Sequence, residues 1–520
     1  MIDTKLLRQK ILDLAIRGKL VPQTPADEPA SELLKKIKAE KEELVKAGKI
    51  KKDKHESFIF KGDDNRYYEA INGKNIDITE EIAFDIPDSW CWCRLRTLAS
   101  TALGKMLDKH KNHGIPMPYL RNVNVRWGIF DLSELLQMRF EPSETERYSI
   151  KTGDLVVCEG GEPGRCAVWT NGLKDIRIQK ALHRVRPYNG ISSLLLSYIF
   201  RRYAQIQYID KFFTGSTIKH LTGEALNQLL IILPPVAEQQ RIVSQIKALL
   251  KYVDEIDRES ETLEKFITLA KQKILDLAIR GKLVPQDPSD EPASELLKKI
   301  KAEKEALVKA GKIKKDKHES FIFKGDDNCY HENIDGKVTD ITEDIPFDLP
   351  DEWEWCRLST ISEFDLGKTL DRQKNTGNYR KYLRSVNVLW GNIDLSDVKE
   401  MRFEDTELER YSIKKGDLLI CEGGDVGRCA VWDKDFVFYY QNALHRVRFY
   451  QKCIPLFYQF VMMFFENTGL LKEISQGVTI KHLTKNTLNS MFFPLPPLAE
   501  QKRIVSQVEK LFAVLETMRG

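Results

Sequence analysis

The chain has 520 residues, 42% hydrophobic and 30% charged, enough to bury sizeable cores in about three or four domains. Lys and Arg number 81 against 77 Asp and Glu, so the net charge of +4 by itself signals no nucleic-acid partner. No apolar run approaches the roughly 18 residues of a membrane span, MIDTKLLRQK lacks the apolar core of a secretion signal, and nine cysteines without CxxC pairs fit reduced thiols. Membrane, secreted and fibrous classes are therefore set aside and a cytoplasmic location is expected.

The predicted elements begin with a helix over 1–20, in which Thr4, Leu7, Ile11 and Leu14 keep heptad spacing. A globular domain follows over 21–235. Its first element is a helix over 31–48, with Ser31 as N-cap behind Pro29, an apolar face of Leu33, Leu34, Ile37, Leu44 and Val45, and Gly48 as the stop. The basic run KIKKDK behind it is either a phosphate contact or a solvated helix end. A long helix is expected over 236–281, opened by Pro234 and Pro235 and closed by Gly281. Along it Ile242, Ile246, Leu249, Val253, Ile256, Ser260, Leu263, Ile267, Ala270, Ile274 and Leu277 alternate 4-3, the seam of a coiled coil. At ~1.5 Å per residue it would reach roughly 68 Å. A second domain spans 282–497, with its own helical segment at 294–311 (Ser294, Gly311), and a helix over 498–520 ends the chain, its seam being Ile504, Val508, Leu511, Leu515 and Met518.

These elements are two copies of one unit. Residues 10–65 recur at 273–328 with 53 of 56 positions identical, the exceptions being Thr24/Asp287, Ala26/Ser289 and Glu43/Ala306. Looser similarity continues: YLRNVNVRWG (119–128) matches YLRSVNVLWG (382–391), and GDLVVCEGGEPGRCAVW (153–169) matches GDLLICEGGDVGRCAVW (416–432). QKALHRVR, GSTIKHLT and LPPVAEQQRIV at 179, 215 and 233 then pair with QNALHRVR, GVTIKHLT and LPPLAEQKRIV at 441, 477 and 495. The first and last helices together match the central one, as in a circularly permuted two-fold pattern. The expected fold is therefore α/β (α+β): two mixed-sheet globular domains separated by long antiparallel coiled-coil helices, related by a pseudo-two-fold internal repeat, with the terminal helices abutting.

A duplicated domain ending in LPP-[VL]-AEQ before a heptad helix, the tail LDLAIRGKLVPQ, and the signature GDLLxCEGGxxGRCAVW…HRVR…GxTIKHLT resemble the specificity subunit of type I restriction–modification enzymes. The resemblance covers essentially the whole chain. It implies two target recognition domains, each reading one half of a split double-stranded DNA site, and conserved helices that dock two methyltransferase (modification) subunits, to which restriction-translocase subunits add. It implies that S-adenosylmethionine, ATP and Mg²⁺ belong to those partners and that this chain is not itself an enzyme. Two similar domains about a pseudo-dyad suit a bipartite duplex target, each read in the major groove.

Several residues are candidate DNA contacts. In the GxTIKHLT segments Thr217, Lys219, His220, Thr479, Lys481 and His482 offer donors to phosphate or base edges, or else start a capped helix. Arg121 and Asn124, with Arg384 and Asn387, are placed on a strand, although their parity prevents one shared face. Arg184 and Arg186, with Arg446 and Arg448, share one strand face and either hold phosphate or form salt bridges. The glycines of CEGGEPGRC fit a tight turn or an anion nest. Cys158, Cys166 and His183 have no common zinc-finger spacing. Gly367-Lys368-Thr369 imitates a P-loop, but the required first glycine is Ser362; Lys105 and Lys368 remain candidate DNA contacts. LPPV and LPPL lack the Asn and aromatic of an amino-methyltransferase loop. The likeness of the two domains predicts half-sites that share some bases, read on opposite strands; if base-reading loops fall within the divergent stretches 106–118/369–381 and 170–178/433–440, the half-sites can still differ. A protein-binding coiled-coil scaffold is the alternative reading, and an autonomous methyltransferase or nuclease a third.

Overall fold

The computed structural model describes residues 2–519 except 51, 53–55, 109, 111, 174, 216, 218, 316–318, 372 and 475–481. The chain divides into compact units Met1–Ser260 and Glu261–Gly520, and the boundary falls inside one 44-residue helix, Val236–Ile279. All of its predicted seam positions are buried or half-buried, as a 4-3 apolar stripe requires.

Each unit pairs its share of that helix with one terminal helix. In the first, Thr4–Ile16 starts at Asp3, whose carboxylate accepts from the Leu6 N–H at 2.8 Å. Arg8 reaches Asp254 and Asp257 at 2.5 and 2.8 Å, and Gln23 reaches Glu238 at 2.5 Å. Low numbers face high ones, so the pair is antiparallel. In the second, Leu498–Thr517 runs against the long helix with Arg519 at Glu264 (2.7 Å), Lys271 at Glu516 and Gln286 at Glu500 (2.6 Å). This pair is antiparallel too. Met1 and Gly520 lie outside the described residues, and with them the expected meeting of the termini.

The AEQ motif explains itself here. Glu238 is 1% exposed, and its carboxylate accepts from the Trp90 indole at 2.8 Å and from Gln23. Gln239 donates to the Pro234 carbonyl at 3.0 Å and accepts from Ser192 N–H at 2.9 Å. Arg241 pairs with Asp27. Glu500 with Trp353 (2.9 Å), Gln501 with Pro496 (2.9 Å) and Ile454 (2.9 Å), and Arg503 with Asp290 (2.6 Å) repeat the arrangement. Burial pushes both glutamate carboxyls above their ordinary range.

Ahead of the recognition part, helices Ala30–Lys46 and Ala293–Lys309 begin one residue earlier than the sequence indicated. Pro29 and Pro292 occupy the N-cap without a side-chain bond, so Ser31 and Ser294 fall inside the first turn rather than at the cap. Gly48, at φ 69°, ends the helix as expected. Strands Ser57–Lys61, Tyr67–Ile71 and Lys74–Asp77 then form an antiparallel meander, its second turn made by Asn72-Gly73 with both φ positive.

Four antiparallel strands form the main sheet of the first unit, in the order Ala99–Leu103, Leu182–Pro187, Leu155–Cys158, Cys166–Val168, packed beneath helix Ser193–Gln205. A second sheet is mixed: Ile115–Leu120 pairs antiparallel with Leu136–Phe140, and only its last two residues pair, in parallel, with Arg177–Ile178. The second unit repeats both sheets, with Ser362–Leu366, Leu444–Phe449, Leu418–Cys421 and Cys429–Val431 in one, and Lys399–Phe403, Asn378–Leu383, Phe438–Tyr440 and Ser412–Ile413 in the other. Replacing Glu238 by Ala leaves two donors without an acceptor and should cost the first unit about 1–3 kcal/mol; E500A should do the same to the second, and E238Q, which keeps an acceptor oxygen, should cost far less. Urea unfolding, with hydrogen exchange assigning each loss to its unit, checks this.

Candidate nucleic-acid interface

Three loops of the first unit meet at one edge of the main sheet. Strand Ile115–Leu120 ends before Arg121, and Asn122–Asn124 forms a single 3₁₀ turn instead of continuing the strand. Asn124 causes this: it is 3% exposed, its Oδ1 accepts from the Arg121 N–H at 2.9 Å, and its amide donates to the Asp131 and Glu134 carbonyls at 2.9 and 3.0 Å. The Asn122 carbonyl accepts from Arg165 at 2.9 Å, which fastens the glycine loop to this turn. Gly161 and Gly164 have φ of 83° and 87°, and a Cβ on them would stand 2.5 Å from Asn122 and 2.7 Å from Ile209. The glycines therefore serve a tight connection and close packing. The third loop brings His220 Nδ1 to within 3.2 Å of Glu159, over Gly160.

Thr217 and Lys219 are exposed, the latter 3.6 Å from Asp210, and His220 is half-buried. Val123 stands out 47% exposed beside them. In the second unit Arg428 donates to the Ser385 carbonyl at 2.9 Å, Val386 is exposed and His482 lies over Gly423. Thr479 and Lys481 lie outside the described residues. Thr217, Lys219, His220 and His482 thus keep solvent-facing groups.

The remaining candidates make contacts inside the fold; Lys105, Asn124, Arg184, Lys368, Asn387 and Arg446 are buried and are no longer candidates for contact, whereas Arg121, Arg186, Arg384 and Arg448 are partly exposed. Lys105 is buried, 3.1 Å from the Arg139 carbonyl and 2.5 Å from Glu144, and Lys368 is bonded to Glu407; burial pushes the Lys368 ammonium down. Neither follows a phosphate-binding loop. Gly104 and Gly367 are needed because a Cβ would meet the backbone of Gln179 and Gln441 at 2.2 and 2.4 Å. Arg184 donates to the carbonyls of Glu146, Arg147 and Ser149 at 3.0–3.3 Å, closing the end of helix Thr145–Tyr148. Arg446 does the same for the Arg410 and Ser412 carbonyls at 3.0 Å. Arg186 holds buried Asp154 through two 2.7 Å bonds, and Arg448 holds Asp417 at 2.8 and 2.7 Å. Asn387 clamps the Asp394 and Asp397 carbonyls at 3.0 Å, as Asn124 clamps theirs. Arg121 and Arg384 are partly exposed but engaged, with Glu134 at 2.8 Å and Asp397 at 2.9 Å.

Cys158 is buried and its thiol pushed up to about 11, while Cys166 is raised further. Among the described residues no group of three His, Cys, Asp or Glu is placed to hold a metal, all nine cysteines are free thiols, and no helix is long and apolar enough to cross a membrane.

Sequence reasoning singled out divergent stretches but not the surface they share. The parallel pairing of Tyr119–Leu120 with Arg177–Ile178, and of Tyr382–Leu383 with Tyr439–Tyr440, brings both stretches onto one sheet in each unit. The exposed residues there, Ile115 and Pro116 in one unit and Tyr379, Arg380 and Lys381 in the other, were not named as contacts. The usable signal was a complete change of sequence between two unchanged flanks.

A family model described as the type I restriction modification DNA specificity domain matches residues 103–265 and 350–520. Among curated proteins, the type I restriction enzyme EcoAI specificity subunit of Escherichia coli is 30% identical over 580 aligned residues, covering 99% of this chain and 90% of that protein. The EcoEI specificity subunit of the same species is 28% identical, again over 99% of this chain and 90% of that protein. A solved structure described as "Structural basis underlying complex assembly and conformational transition of the type I R-M system" shares the fold with a TM-score of 0.56 and 18% identity, over 84% of this chain and 93% of that one. The helices and meanders of 30–77 and 293–340 lie outside the matched segments.

The HRVR histidines carry a test of the core beneath this surface. His183 and His445 are fully buried, each with Nε2 2.7 Å from a carbonyl, of Leu221 and Leu483, so the neutral ring donates from Nε2. Burial pushes both imidazoles below their ordinary value. The unfolded chain takes up a proton near about pH 6.5 that the folded chain refuses, so stability is lost as the pH falls through about 6.5 toward the depressed value. Each histidine adds a slope of up to about 1.4 kcal/mol per pH unit. H183Q/H445Q should flatten the urea-midpoint profile between about pH 5 and 6.5; a variant whose profile runs parallel to the wild type would refute the assignment.

Proposed function

The chain belongs to the type I restriction–modification DNA specificity family, and from that premise we propose that it is the subunit that reads a split double-stranded DNA target and scaffolds the assembly. The observation that carries this is the presence of two specificity-domain segments, 103–265 and 350–520, in one chain whose internal repeat covers nearly its whole length. One domain reads one half-site and the other reads the second.

The antiparallel helix pairs offer two equivalent docking surfaces, which suits two modification subunits, with restriction-translocase subunits added to them. S-adenosylmethionine, ATP and Mg²⁺ are used by those partners, and the chain contributes recognition rather than catalysis. The nine free thiols fit the reducing interior of a cell, where the complex would act. Groups such as Lys219 would set register on phosphate and give the binding its salt dependence.

Mapping methylated adenines in the host genome, with and without this gene, tests the reading. Two short motifs at constant separation should appear only when the gene is present, and methylation or cleavage by the purified chain alone would overturn it. Inserting seven residues after Ser260, within the long helix, lengthens it by about 10.5 Å, and the unspecified stretch between the motifs should grow by about 3 base pairs at ~3.4 Å each. An unchanged separation would remove the helix from the role of spacer.

A further inference from the structure

The mixed sheet of each unit has an outer part with one face packed on a small core and the other free. Asn378–Lys381 pairs only with Glu400–Phe403, because the parallel neighbour reaches just Tyr382 and Leu383. The same holds for Ile115–Pro118 against Gln137–Phe140. Each is a two-stranded antiparallel ribbon, the kind of element that the major groove of B-DNA admits.

The buried frame of the two ribbons is the same. Tyr119, Met138 and Phe140 form one small core, and Tyr382, Met401 and Phe403 its counterpart. Lys105 with Glu144 and Lys368 with Glu407 brace them. Gly114 and Gly377 start them at φ 90° and 87°, where a Cβ would strike the carbonyl of Phe140 or Phe403.

The outward positions share almost nothing. Alternate residues of a strand fall on opposite faces: Met117 and Arg380 lie opposite Met138 and Met401 on the core face, while the free face carries Pro116, Pro118 and Gln137 in one unit and Tyr379, Lys381 and Glu400 in the other. In the first ribbon Ile115 is 60% exposed, and the one exposed arginine, Arg139, donates to the Gly114 carbonyl at 2.9 Å. In the second, Arg380 and Lys381 are exposed and make no hydrogen bond or ion pair among the described residues, while Arg402 lies over the exposed Tyr379 ring at 5.0 Å. The loops at the sheet edge, with Gly-Gly and Ile-Lys-His in both copies, differ far less between the units than the ribbons do.

We infer that the free faces of the two ribbons are the elements that make the half-sites different: that of the second unit reads guanine through Lys381, and that of the first sets Pro116 and Pro118 against thymine methyl groups. Arginine and lysine match the O6 and N7 acceptors of guanine, and apolar side chains match the thymine methyl. This rests on the reading of the chain as a DNA specificity subunit.

The test is selection from a randomised duplex library by the full chain assembled with its modification subunits. K381A should lower guanine preference about tenfold at one position and leave the other half-motif unchanged, which also shows that the variant is folded. N378I/Y379P/R380M/K381P, which places the first ribbon's sequence on an identical buried frame, should turn that position toward thymine. An unchanged motif in both variants, or a smaller salt slope without any change in base preference, overturns the inference. A wild-type chain that selects no split motif instead overturns the functional reading on which it rests.

Discussion

A buried carboxylate holds each unit together at the point where its domain turns into helix. Glu238 lies at the start of the long helix, 1% exposed, and accepts from an indole on the approach to strand Cys91–Arg94 and from an amide in the segment behind the first helix. One side chain thus ties three parts of the chain that are distant in sequence. The penalty for burying it is offset by two donors and by its place in the first turn, where the helix dipole favours negative charge. Glu500 makes the same ties. Because the helix leaves the domain from this clamp, its direction relative to the unit's own recognition sheets is set here, and every surface proposed to read DNA inherits that direction.

The helical part of the fold was legible because its signals are local. Heptad spacing, the proline pair before Val236 and the glycines at 48 and 281 each act over a few residues, and the helices begin and end close to them. The 3₁₀ turn at Asn122–Asn124 was not legible, because it depends on Asn124 capturing the carbonyls of Asp131 and Glu134, seven and ten residues on. The strand propensity of the valines on either side lost to that clamp. Ser31 looked like a cap because serine usually is one, but Pro29 already supplies the extended residue that a helix start needs.

The arginines of HRVR show why site residues are harder to read than elements. A guanidinium that binds phosphate and one that binds a buried carboxylate are the same letter in a sequence. What separates them is Asp154, 32 residues before Arg186, and the carbonyls at the end of a four-residue helix for Arg184. Both partners of each contact recur in the second unit, as Arg448 with Asp417 and Arg446 with the Ser412 carbonyl. Such pairs are kept together by their burial, since losing one member leaves the other charged or polar group without compensation.

This gives the internal repeat two separate meanings. Outside the near-identical block 10–65/273–328, where exposed lysines and glutamates recur as well, identity between the copies includes the places where burial leaves little choice: the Glu–Trp–Gln clamp, the Asp–Arg pairs, the small aromatic cores under the ribbons, the glycines whose Cβ has no room. Solvent-facing positions are under no such constraint, so an abrupt change among them, bounded on both sides by an unchanged frame, cannot be ascribed to folding. The free face of 115–118/378–381 is such a change, from Pro116 and Pro118 to Tyr379 and Lys381 on an otherwise equivalent backbone. It is a change that the buried frame shared by the two ribbons does not require.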